Sequence, residues 1–308
     1  MKAPRNRTLT LTEEDQKRLG ERLIVVKTPQ VLENIIGRTI HGDVFDVLPL
    51  LPERCIDLLI ADPPYNLTKT FGKATFRASD DRQYAAWLEG WVSQLPRILK
   101  PSASVYVCCD WRCSHAVCEV LGRFFQVRNR ITWEREKGRG AKANWKNAHE
   151  DIWFCTVSGD YTFNLDAVKM KRRVVAPYRV GGAGGTPKDW NETPDGNYRL
   201  THPSNLWTDL TVPFWSMPEN TGHPTQKPEK LLAKLILASS HEEDVVFDPF
   251  LGSGTTAVVA KKLGRRFFGI ELDRIYCLTT EKRLERAEHD RTIQGFQNGV
   301  FWERNAGK

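Results

Sequence analysis

Short apolar runs alternate with amphipathic stretches along most of the chain, and this alternation predicts an α/β fold. The run Ile56–Ala61 predicts a buried strand, because it is short, continuous and aliphatic. Further strands are expected at residues 104–109, 125–133, 151–157, 245–247 and 266–270. Helices are expected at residues 13–22, 83–99, 113–122, 228–239, 255–263 and 274–288. Strands that alternate with helices predict a doubly wound, mostly parallel Rossmann-like sheet with helices on both faces.

The regular rhythm is interrupted between residues 159 and 222, where glycine, proline and tryptophan are frequent and periodicity is weak. Such a stretch is typical of an inserted, loop-rich region with a task of its own. Residues 66–81, which are polar and contain glycine, predict a second loop.

The charge of the chain indicates which kind of partner it binds. The 308 residues carry a net charge of +7 with a pI of about 9.0, which fits a polyanionic partner. Between residues 121 and 150, eight basic residues accompany three acidic ones, with Trp133 and Trp145 among them. Basic charge mixed with aromatic rings suits the phosphates and unstacked bases of nucleic acid. A solvated positive face would give the same pattern and remains an alternative.

The seven cysteines include no C-x-x-C pair, and several lie in apolar runs, so we expect buried free thiols and no metal site. The sequence contains no run of about 18 apolar residues, so we expect no membrane span. The basic, polar N-terminus lacks the apolar core of a secretory signal. These features predict a cytoplasmic protein with no membrane partner.

The first of two chemical motifs is Asp62-Pro63-Pro64-Tyr65-Asn66, directly after the predicted strand Ile56–Ala61. Consecutive prolines fix the backbone and remove two N–H donors. The Asp62 and Pro63 carbonyls can then accept hydrogen bonds beside the Asp62 carboxylate and the Tyr65 ring. This combination suits the exocyclic amino group of a stacked base, although a proline-stiffened turn is the simpler alternative.

The second motif is Asp248-Pro249-Phe250-Leu251-Gly252-Ser253-Gly254-Thr255, which follows a predicted strand and opens a helix. Its glycines allow close backbone approach to a ligand, and the helix N-terminus points free N–H groups towards it. Glu271 ends the next strand, at the offset where an acid commonly holds ribose hydroxyls. Ala257 breaks the full G-x-G-x-x-G pattern, which favours a nucleoside without pyrophosphate.

The two motifs together resemble those of the amino-methylating DNA methyltransferases that use S-adenosyl-L-methionine. Asp62 to Tyr65 is similar to their catalytic signature, and Phe250 to Gly254 is similar to their cofactor signature. The catalytic motif comes first, as in the permuted β class of this family. Three further segments resemble that class: HEDIWF at 149–154, NLW at 205–207 and HPTQKP at 223–228. The resemblance extends over residues 39–285.

The resemblance implies roles for the matching residues. The target base would be held and stacked by Asp62, Pro63, Pro64 and Tyr65. The expected cofactor-binding residues are Asp43, Val44, Phe45, Asp62, Thr225, Lys227, Pro228, Asp248, Phe250, Gly252, Ser253, Gly254, Thr255, Glu271 and Leu272. Among them, Thr225, Lys227 and Pro228 would flank the carboxylate end of the cofactor. A helix cap for Asp43, a solvated lysine for Lys227 and a core histidine for His149 remain alternatives.

The resemblance also implies a domain plan and a partner. The segments are a polar N-terminal arm at 1–29, the catalytic half of the methyltransferase domain at 30–158, an inserted target-recognition region at 159–222, the cofactor-binding half at 223–290 and a C-terminal tail at 291–308. Double-stranded DNA is the expected partner. The residues expected to contact it are Arg135, Lys137, Arg139, Lys142, Lys146, Lys171, Arg172, Arg173 and Arg179.

The implied activity is direct in-line methylation of the exocyclic N6 of a flipped adenine, without a covalent intermediate. The aspartate at position 62 and the following Tyr65-Asn66 favour adenine, and cytosine N4 remains an alternative. A nucleic-acid-binding module that uses the cofactor only structurally, or an RNA methyltransferase, would also be compatible with the pattern. We expect residues 67–81 to close over the base. A cognate restriction endonuclease and a homodimer are left open.

Overall fold

The computed structural model describes residues 5–71, 74–135, 143–174, 178–182, 185–194 and 196–304. Three residues that we expect to contact DNA, namely Lys137, Arg139 and Lys142, lie outside the described residues. No helix within the described ranges is long and apolar enough to cross a membrane.

Side-chain caps mark the start of several helices. The Thr12 hydroxyl accepts the Asp15 N–H while the Asp15 carboxylate accepts the Thr12 N–H, which is a reciprocal capping box. The carboxylates of Asp80 and Asp273 cap two later helices. The α-helices are α1 Glu13–Gly20, α2 Leu32–Ile35, α3 Val44–Val47, α4 Asp81–Val92, α5 Leu95–Ile98, α6 Ser114–Phe124, α7 Glu229–Ser239, α8 Thr255–Lys262 and α9 Arg274–Ala287.

The strands form one large sheet and several small ones. They are β1 Thr39–His41, β2 Ile56–Ala61, β3 Lys69–Phe71, β4 Ala74–Phe76, β5 Leu99–Cys109, β6 Gln126–Glu134, β7 His149–Thr156, β8 Met170–Arg173, β9 Arg179–Val180, β10 Thr186–Pro187, β11 Asn191–Thr193, β12 Gly196–Thr201, β13 Leu206–Trp207, β14 Val245–Asp248, β15 Arg266–Glu271, β16 Phe296–Gln297 and β17 Val300–Trp302. The large sheet has eight strands in the order β1-β15-β14-β2-β5-β7-β6-β13. Within it, β7 is antiparallel to both of its neighbours and the other pairs are parallel.

Helices cover both faces of the large sheet, and successive residues of β2 show the two layers. Leu59 belongs to a buried cluster with Trp91 of α4. Leu58 points to the other face, where it belongs to a second cluster with Leu235 of α7 and Val258 of α8. Each fully buried aliphatic side chain contributes about 1.5–3 kcal/mol of transfer free energy. The predicted doubly wound, mostly parallel sheet is therefore confirmed.

The helix predicted at residues 83–99 is wrong in its C-terminal part. α4 ends at Val92, and a separate short turn, α5, follows with Pro96 near its start. Proline has no N–H with which to continue the hydrogen-bond ladder of α4. Leu99 already pairs with β2, and Pro101 lies inside β5, where the register with β2 shifts.

Regular structure also occurs where loops were predicted. Residues 66–81 contain the antiparallel hairpin of β3 and β4. In the insert, β11, β12 and β8 form a sheet that β17 and β16 complete from the C-terminal segment. Met170 of β8 pairs with the fully buried Phe301 of β17. These strands span between two and six residues, which is too short to give a clear periodic signal.

A buried ion cluster fixes the insert to α7. The Asp209 carboxylate lies 2.6 Å from the amines of both Lys230 and Lys234, and all three side chains are at most 9% exposed. Lys230 also donates to the carbonyl of Trp302, next to Phe301. The insert, helix α7 and the C-terminal segment thus meet at one point.

Candidate active site

The two predicted motifs meet at the carboxyl edge of the large sheet. β2 and β14 are parallel neighbours, so Asp62 after β2 lies beside the glycine turn after β14. β15 follows on the other side of β14 and ends at Glu271, and β1 pairs with β15 and leads to Asp43. In open α/β sheets, ligands bind outside the carboxyl ends of the strands.

A cavity of about 390 Å³ opens at this edge and joins the two motifs. Its size is typical of small-ligand sites, which span roughly 300–1,000 Å³. Asp62 and Tyr65 contribute to its wall, and so do Phe250, Gly252 and Glu271. The segments that lie far apart in the sequence therefore share one space.

The Asp62 carboxylate is held from two sides. Its Oδ1 accepts a hydrogen bond from the Tyr65 hydroxyl at 2.9 Å, and its Oδ2 accepts one from Lys227 Nζ at 2.6 Å. Glu150 Oε2 lies 3.0 Å from the Tyr65 hydroxyl and 3.3 Å from Lys227 Nζ. Arg135 donates to the other oxygen of Glu150. Two carboxylates and the Lys227 amine therefore surround the phenol hydroxyl, and Arg135 pairs with one of these carboxylates. We call these five residues the Asp62 cluster.

The environment fixes the protonation states of Lys227 and Tyr65. Burial disfavours charge on Lys227, but the carboxylates of Asp62 and Glu150 outweigh this effect and raise its pKa above the ordinary value. Burial, reinforced by the same carboxylates, raises the pKa of Tyr65 well above its ordinary value. Lys227 is therefore cationic and Tyr65 neutral near pH 7, so that both act as hydrogen-bond donors.

Glu150 is a site residue that the sequence analysis missed. It belongs to β7, the antiparallel strand, which enters the sheet at the edge where the parallel strands end. Glu150 lines the cavity with its side chain only 3% exposed, whereas His149 lines a separate shallow recess. The available signal was the pair of acids Glu150 and Asp151 directly before the apolar run at residues 152–155, because a buried acid requires a cation.

The glycine turn is shaped by backbone conformation and close packing. Gly252 and Gly254 have φ values of 54° and 79°, which residues with a side chain rarely adopt. A Cβ on Gly252 would lie 3.2 Å from His223 Nε2, and one on Gly254 would lie 2.4 Å from Thr280 Cγ2. Gly252 lines the cavity, whereas Gly254 caps α8 and allows that helix to pack against α9.

The side chains of two acids, Glu271 and Asp248, hold the turn through hydrogen bonds. Glu271 accepts the N–H groups of Gly252 and Asp273, both at 2.8 Å. Asp248 accepts the Phe250 N–H at 2.9 Å and the Thr256 hydroxyl at 2.6 Å. Burial raises the pKa of Glu271 to about 7. It also raises the pKa of Asp248 to about 7.

His223 and Tyr276 are further wall residues that the sequence analysis did not assign. Their rings pack edge-on with centroids 4.4 Å apart. Burial, aided by the positive charges of Lys227 and Lys69, lowers the pKa of His223 to about 3, so its ring is neutral near pH 7. No local sequence pattern predicts this pair, because its members come from different segments.

An aromatic group borders the same cavity. Trp87 of α4 lies 6.0 Å from Phe250, 5.2 Å from Phe76 and 6.3 Å from Phe45, measured between ring centroids. Phe76 belongs to the β3–β4 hairpin, which also places Lys69 at the wall. The hairpin therefore forms part of the site, while its closure over a base remains a prediction.

Most of the residues expected to hold the base or the cofactor line this cavity. They are Asp43, Val44, Phe45, Asp62, Pro63, Pro64, Tyr65, Thr225, Lys227, Asp248, Phe250, Gly252, Ser253, Thr255, Glu271 and Leu272. Pro228 and Gly254 are not part of the wall, and each occupies a helix N-cap. Asp43 has both features that were considered, because it lines the cavity and caps α3 through the Phe45 N–H.

The basic residues expected on DNA differ in their surroundings. Ion pairs join Arg135 to Glu150, Arg172 to Glu303 and Arg179 to Glu192. Lys171 lies between the rings of Tyr198 and Trp302, 4.4 and 4.3 Å from their centroids. Lys146 and Arg173 are exposed, and Trp145 is 95% exposed. Exposed charge beside an exposed indole fits a nucleic-acid surface.

Comparison with known proteins gives a consistent result. A family model described as DNA methylase, of the N6/N4 type, matches residues 56–282. The DNA adenine methyltransferase YhdJ of Escherichia coli (strain K12) is 34% identical over 253 residues, which cover 81% of this chain and 83% of YhdJ. The type II methyltransferase M.HpaI of Haemophilus parainfluenzae is 32% identical over 80% of this chain and 74% of its own length.

Solved structures share the fold. The M1.HpyAVI–SAM complex has a TM-score of 0.55 at 23% identity and covers 80% of this chain and 98% of its own. The cytosine-N4-specific PvuII DNA methyltransferase has a TM-score of 0.60 at 19% identity and covers 85% of this chain and 91% of its own. Identities this low support the fold alone. The family match, in contrast, includes both motifs and most of the elements that join them, and so the chain belongs to the N6/N4 DNA methylase family.

Proposed function

We propose that this methyltransferase modifies the exocyclic N6 of an adenine that it flips out of duplex DNA at a specific sequence. The observation that carries the proposal is the shared cavity: the carboxylate of Asp62 lines the same space as Gly252 and Glu271. The likeness to YhdJ, which is named an adenine methyltransferase, supports N6 of adenine as the target. The order Asp62-Pro63-Pro64-Tyr65 supports the same choice.

Family membership makes the chain an enzyme whose methyl donor is S-adenosyl-L-methionine. The cavity wall fits this molecule, because Gly252 presents only backbone to the cavity and the carboxylate of Glu271, which ribose hydroxyls require, lies beside it. We assign the ribose hydroxyls to Glu271 and the adenine ring to the wall formed by Val44, Phe45 and Leu272. When bound, the cofactor supplies an electrophilic methyl group on a sulfonium sulfur.

The residues of the Asp62 motif would prepare the target amine for attack. An exocyclic amine is a poor nucleophile because its lone pair is delocalised into the ring. Hydrogen bonds from its N–H groups to the Asp62 carboxylate and the Pro63 carbonyl favour a pyramidal nitrogen with a localised lone pair. Positioning of this kind lowers barriers by roughly 7–11 kcal/mol in favourable cases. Asp62 thus acts mainly as an acceptor that orients the amine.

Base flipping would depend on Tyr65 and on the aromatic border. Extrusion of a base costs a few kcal/mol. Stacking on an aromatic ring returns roughly 1–3 kcal/mol per base, which offsets much of that cost. The Tyr65 hydroxyl is tethered to Asp62 and Glu150, so the ring is held in place before a base arrives.

Contacts with the duplex are assigned to the basic surfaces of residues 121–150 and of the insert. Lys146 and Arg173 are exposed and would bind phosphates, whereas Arg135 is already committed to Glu150. Arg172 and Arg179 would have to exchange their acidic partners for DNA. The similarity to type II methyltransferases makes a cognate restriction endonuclease part of the proposal, and homodimer formation remains a prediction.

The target base can be tested directly. Plasmid DNA is methylated by the purified enzyme, digested to nucleosides and analysed by mass spectrometry, with DNA treated by Asp62→Ala enzyme as the matched control. We expect N6-methyl-2′-deoxyadenosine only in the first sample. N4-methyl-2′-deoxycytidine in its place would assign the target to cytosine, and the absence of both would contradict the proposed function.

A further inference from the structure

Lys227 has its donors directed into the Asp62 cluster. Its Nζ lies 2.6 Å from Asp62, 3.1 Å from the Tyr65 hydroxyl and 3.3 Å from Glu150. An ammonium group has three N–H donors, and three acceptors lie within reach. The family resemblance placed this lysine at the carboxylate end of the cofactor, but its donors are already engaged elsewhere.

The cluster joins four separate elements of the fold. Asp62 and Tyr65 follow β2, and Arg135 follows β6. Glu150 comes from β7, and Lys227 immediately precedes the N-cap of α7. A buried ion costs several kcal/mol unless it is paired. Since the side chains of Lys227 and Glu150 are 8% and 3% exposed, each depends on the other members for its charge partner. The cluster therefore fixes the relative positions of the four elements at the edge of the cavity.

We propose that Glu150 and Lys227 are positioning residues for methyl transfer, which hold the Asp62 carboxylate and the Tyr65 ring in the orientation that the target amine requires. Neither residue needs to contact the cofactor for this role. The inference rests on the proposed function of Asp62 as the acceptor of the amine.

The hydrogen-bond capacity of Asp62 agrees with this role. A carboxylate offers about four lone-pair sites. Tyr65 and Lys227 occupy one on each oxygen, so that acceptor sites remain for the target amine. Without the ammonium group, the carboxylate can rotate about its terminal torsion, which has a broad energy minimum. Misplacement of a reacting group by about 1 Å reduces rates by roughly 100-fold.

The test compares Lys227→Met and Glu150→Gln with the wild-type enzyme. Single-turnover methylation of a duplex with a target adenine should slow by roughly 100-fold in each variant. The Kd for S-adenosyl-L-methionine, measured by calorimetry without DNA, should change by no more than about twofold, because only the chemical step depends on orientation. Lys227→Arg, which keeps the charge, should recover part of the rate.

Lys234→Met is the matched control, because Lys234 is also a buried, ion-paired lysine but pairs with Asp209 away from the cavity. Its folded fraction should keep the wild-type single-turnover rate. If Lys227→Met does not fold, Glu150→Gln carries the test, because glutamine keeps the shape of the side chain and one acceptor oxygen.

Two results from the single variants would overturn the inference. One is a loss of cofactor affinity in Lys227→Met as large as its loss of rate, which would place the lysine on the cofactor. The other is a wild-type rate in Glu150→Gln. The double variant adds a further check, because a rate close to that of the slower single variant shows coupling, whereas fully multiplicative losses contradict it. Failure of the wild-type enzyme to methylate adenine would instead refute the proposed function.

Discussion

At the scale of single residues, the site depends on one carboxylate that is prevented from turning. Asp62 follows a buried strand, and two prolines stiffen the backbone after it. Tyr65 and Lys227 then hold its two oxygens. Backbone and side-chain restraints therefore act on the same group, which is what an acceptor of a developing tetrahedral amine requires.

Asp62→Ala should abolish detectable methyl transfer and leave cofactor binding close to wild type, because Glu271 and the glycine turn remain intact. A tritium-transfer assay measures the first quantity and calorimetry the second. Asp57→Ala is a suitable control, since Asp57 is an ion-paired acid at the other end of β2, bound to Lys100 at 2.7 Å. Near-normal turnover in Asp62→Ala would contradict the assignment of this residue.

Glu271 should make cofactor affinity depend on pH. Burial raises its pKa to about 7, and ribose hydroxyls that donate to its carboxylate favour the ionised form. Binding then releases a proton below pH 7, so affinity rises with pH, by up to about tenfold per unit, and levels off above pH 7. Calorimetry between pH 5.5 and 8.5, a range of about three units, measures this slope.

Glu271→Gln should remove the pH dependence of cofactor affinity, because the glutamine amide does not titrate. Asp248, whose pKa is also raised to about 7 by burial, accounts for any slope that remains in the variant. His223 contributes nothing in this range, since burial lowers its pKa to about 3. An unchanged slope in Glu271→Gln would show that Glu271 is not the titrating group.

The predicted site residues that line the cavity wall share a property. Asp62, Gly252 and Glu271 each follow or end an apolar strand, so their position at the sheet edge is encoded within a few neighbouring residues. Glu150 and His223 also line the wall, but their partners are distant in the chain. Their roles depend on which segments become neighbours, and local sequence patterns do not contain that information.

At the scale of elements, the insert depends on strands that lie far from it in the sequence. β17 pairs with β8, and the pair buries Phe301 completely next to Met170. Two-residue and three-residue strands have almost no periodic signal, whereas the long strands of the main sheet were predicted to within a few residues. Residues 296–302, which lie within the segment expected to be a C-terminal tail, therefore contribute two strands to the sheet of the insert.

Phe301→Ala should destabilise the insert by about 3–5 kcal/mol, because it creates a cavity in a fully buried site. Hydrogen exchange should show faster exchange in β8 and β17 and little change in β14. Phe163→Ala is the control, since Phe163 is 47% exposed and its removal leaves no comparable cavity. Equal acceleration throughout the chain would show that the insert does not unfold separately.

At the scale of the whole molecule, the order of the strands explains why a permuted pair of motifs still forms one site. β2 ends at Ala61 and β14 begins at Val245, so 183 residues lie between them in the chain. The two strands are nevertheless adjacent in the sheet, and both end at the same edge. The fold class follows from the alternation of strands and helices, which the sequence displays throughout. The net charge of +7 predicts a polyanionic partner but not the surface that binds it.

The salt dependence of DNA binding should distinguish exposed cations from those that serve the active site. Each phosphate contact contributes about 0.9 to the slope of log K against log salt concentration. Lys146 is exposed, so Lys146→Ala should reduce the slope by about 1 and leave single-turnover chemistry unchanged at saturating DNA. Fluorescence anisotropy of a labelled duplex across a salt series measures the slope.

Arg135→Ala should behave in the opposite way, because Arg135 pairs with the buried Glu150 and lines the cavity. Without Arg135, Lys227 is the remaining cation within salt-bridge distance of Glu150 among the described residues. Methyl transfer should therefore slow. The slope of log K against log salt concentration should change by much less than 1. A full unit of lost slope in Arg135→Ala, with normal chemistry, would instead place this arginine on a phosphate and would remove it from the Asp62 cluster.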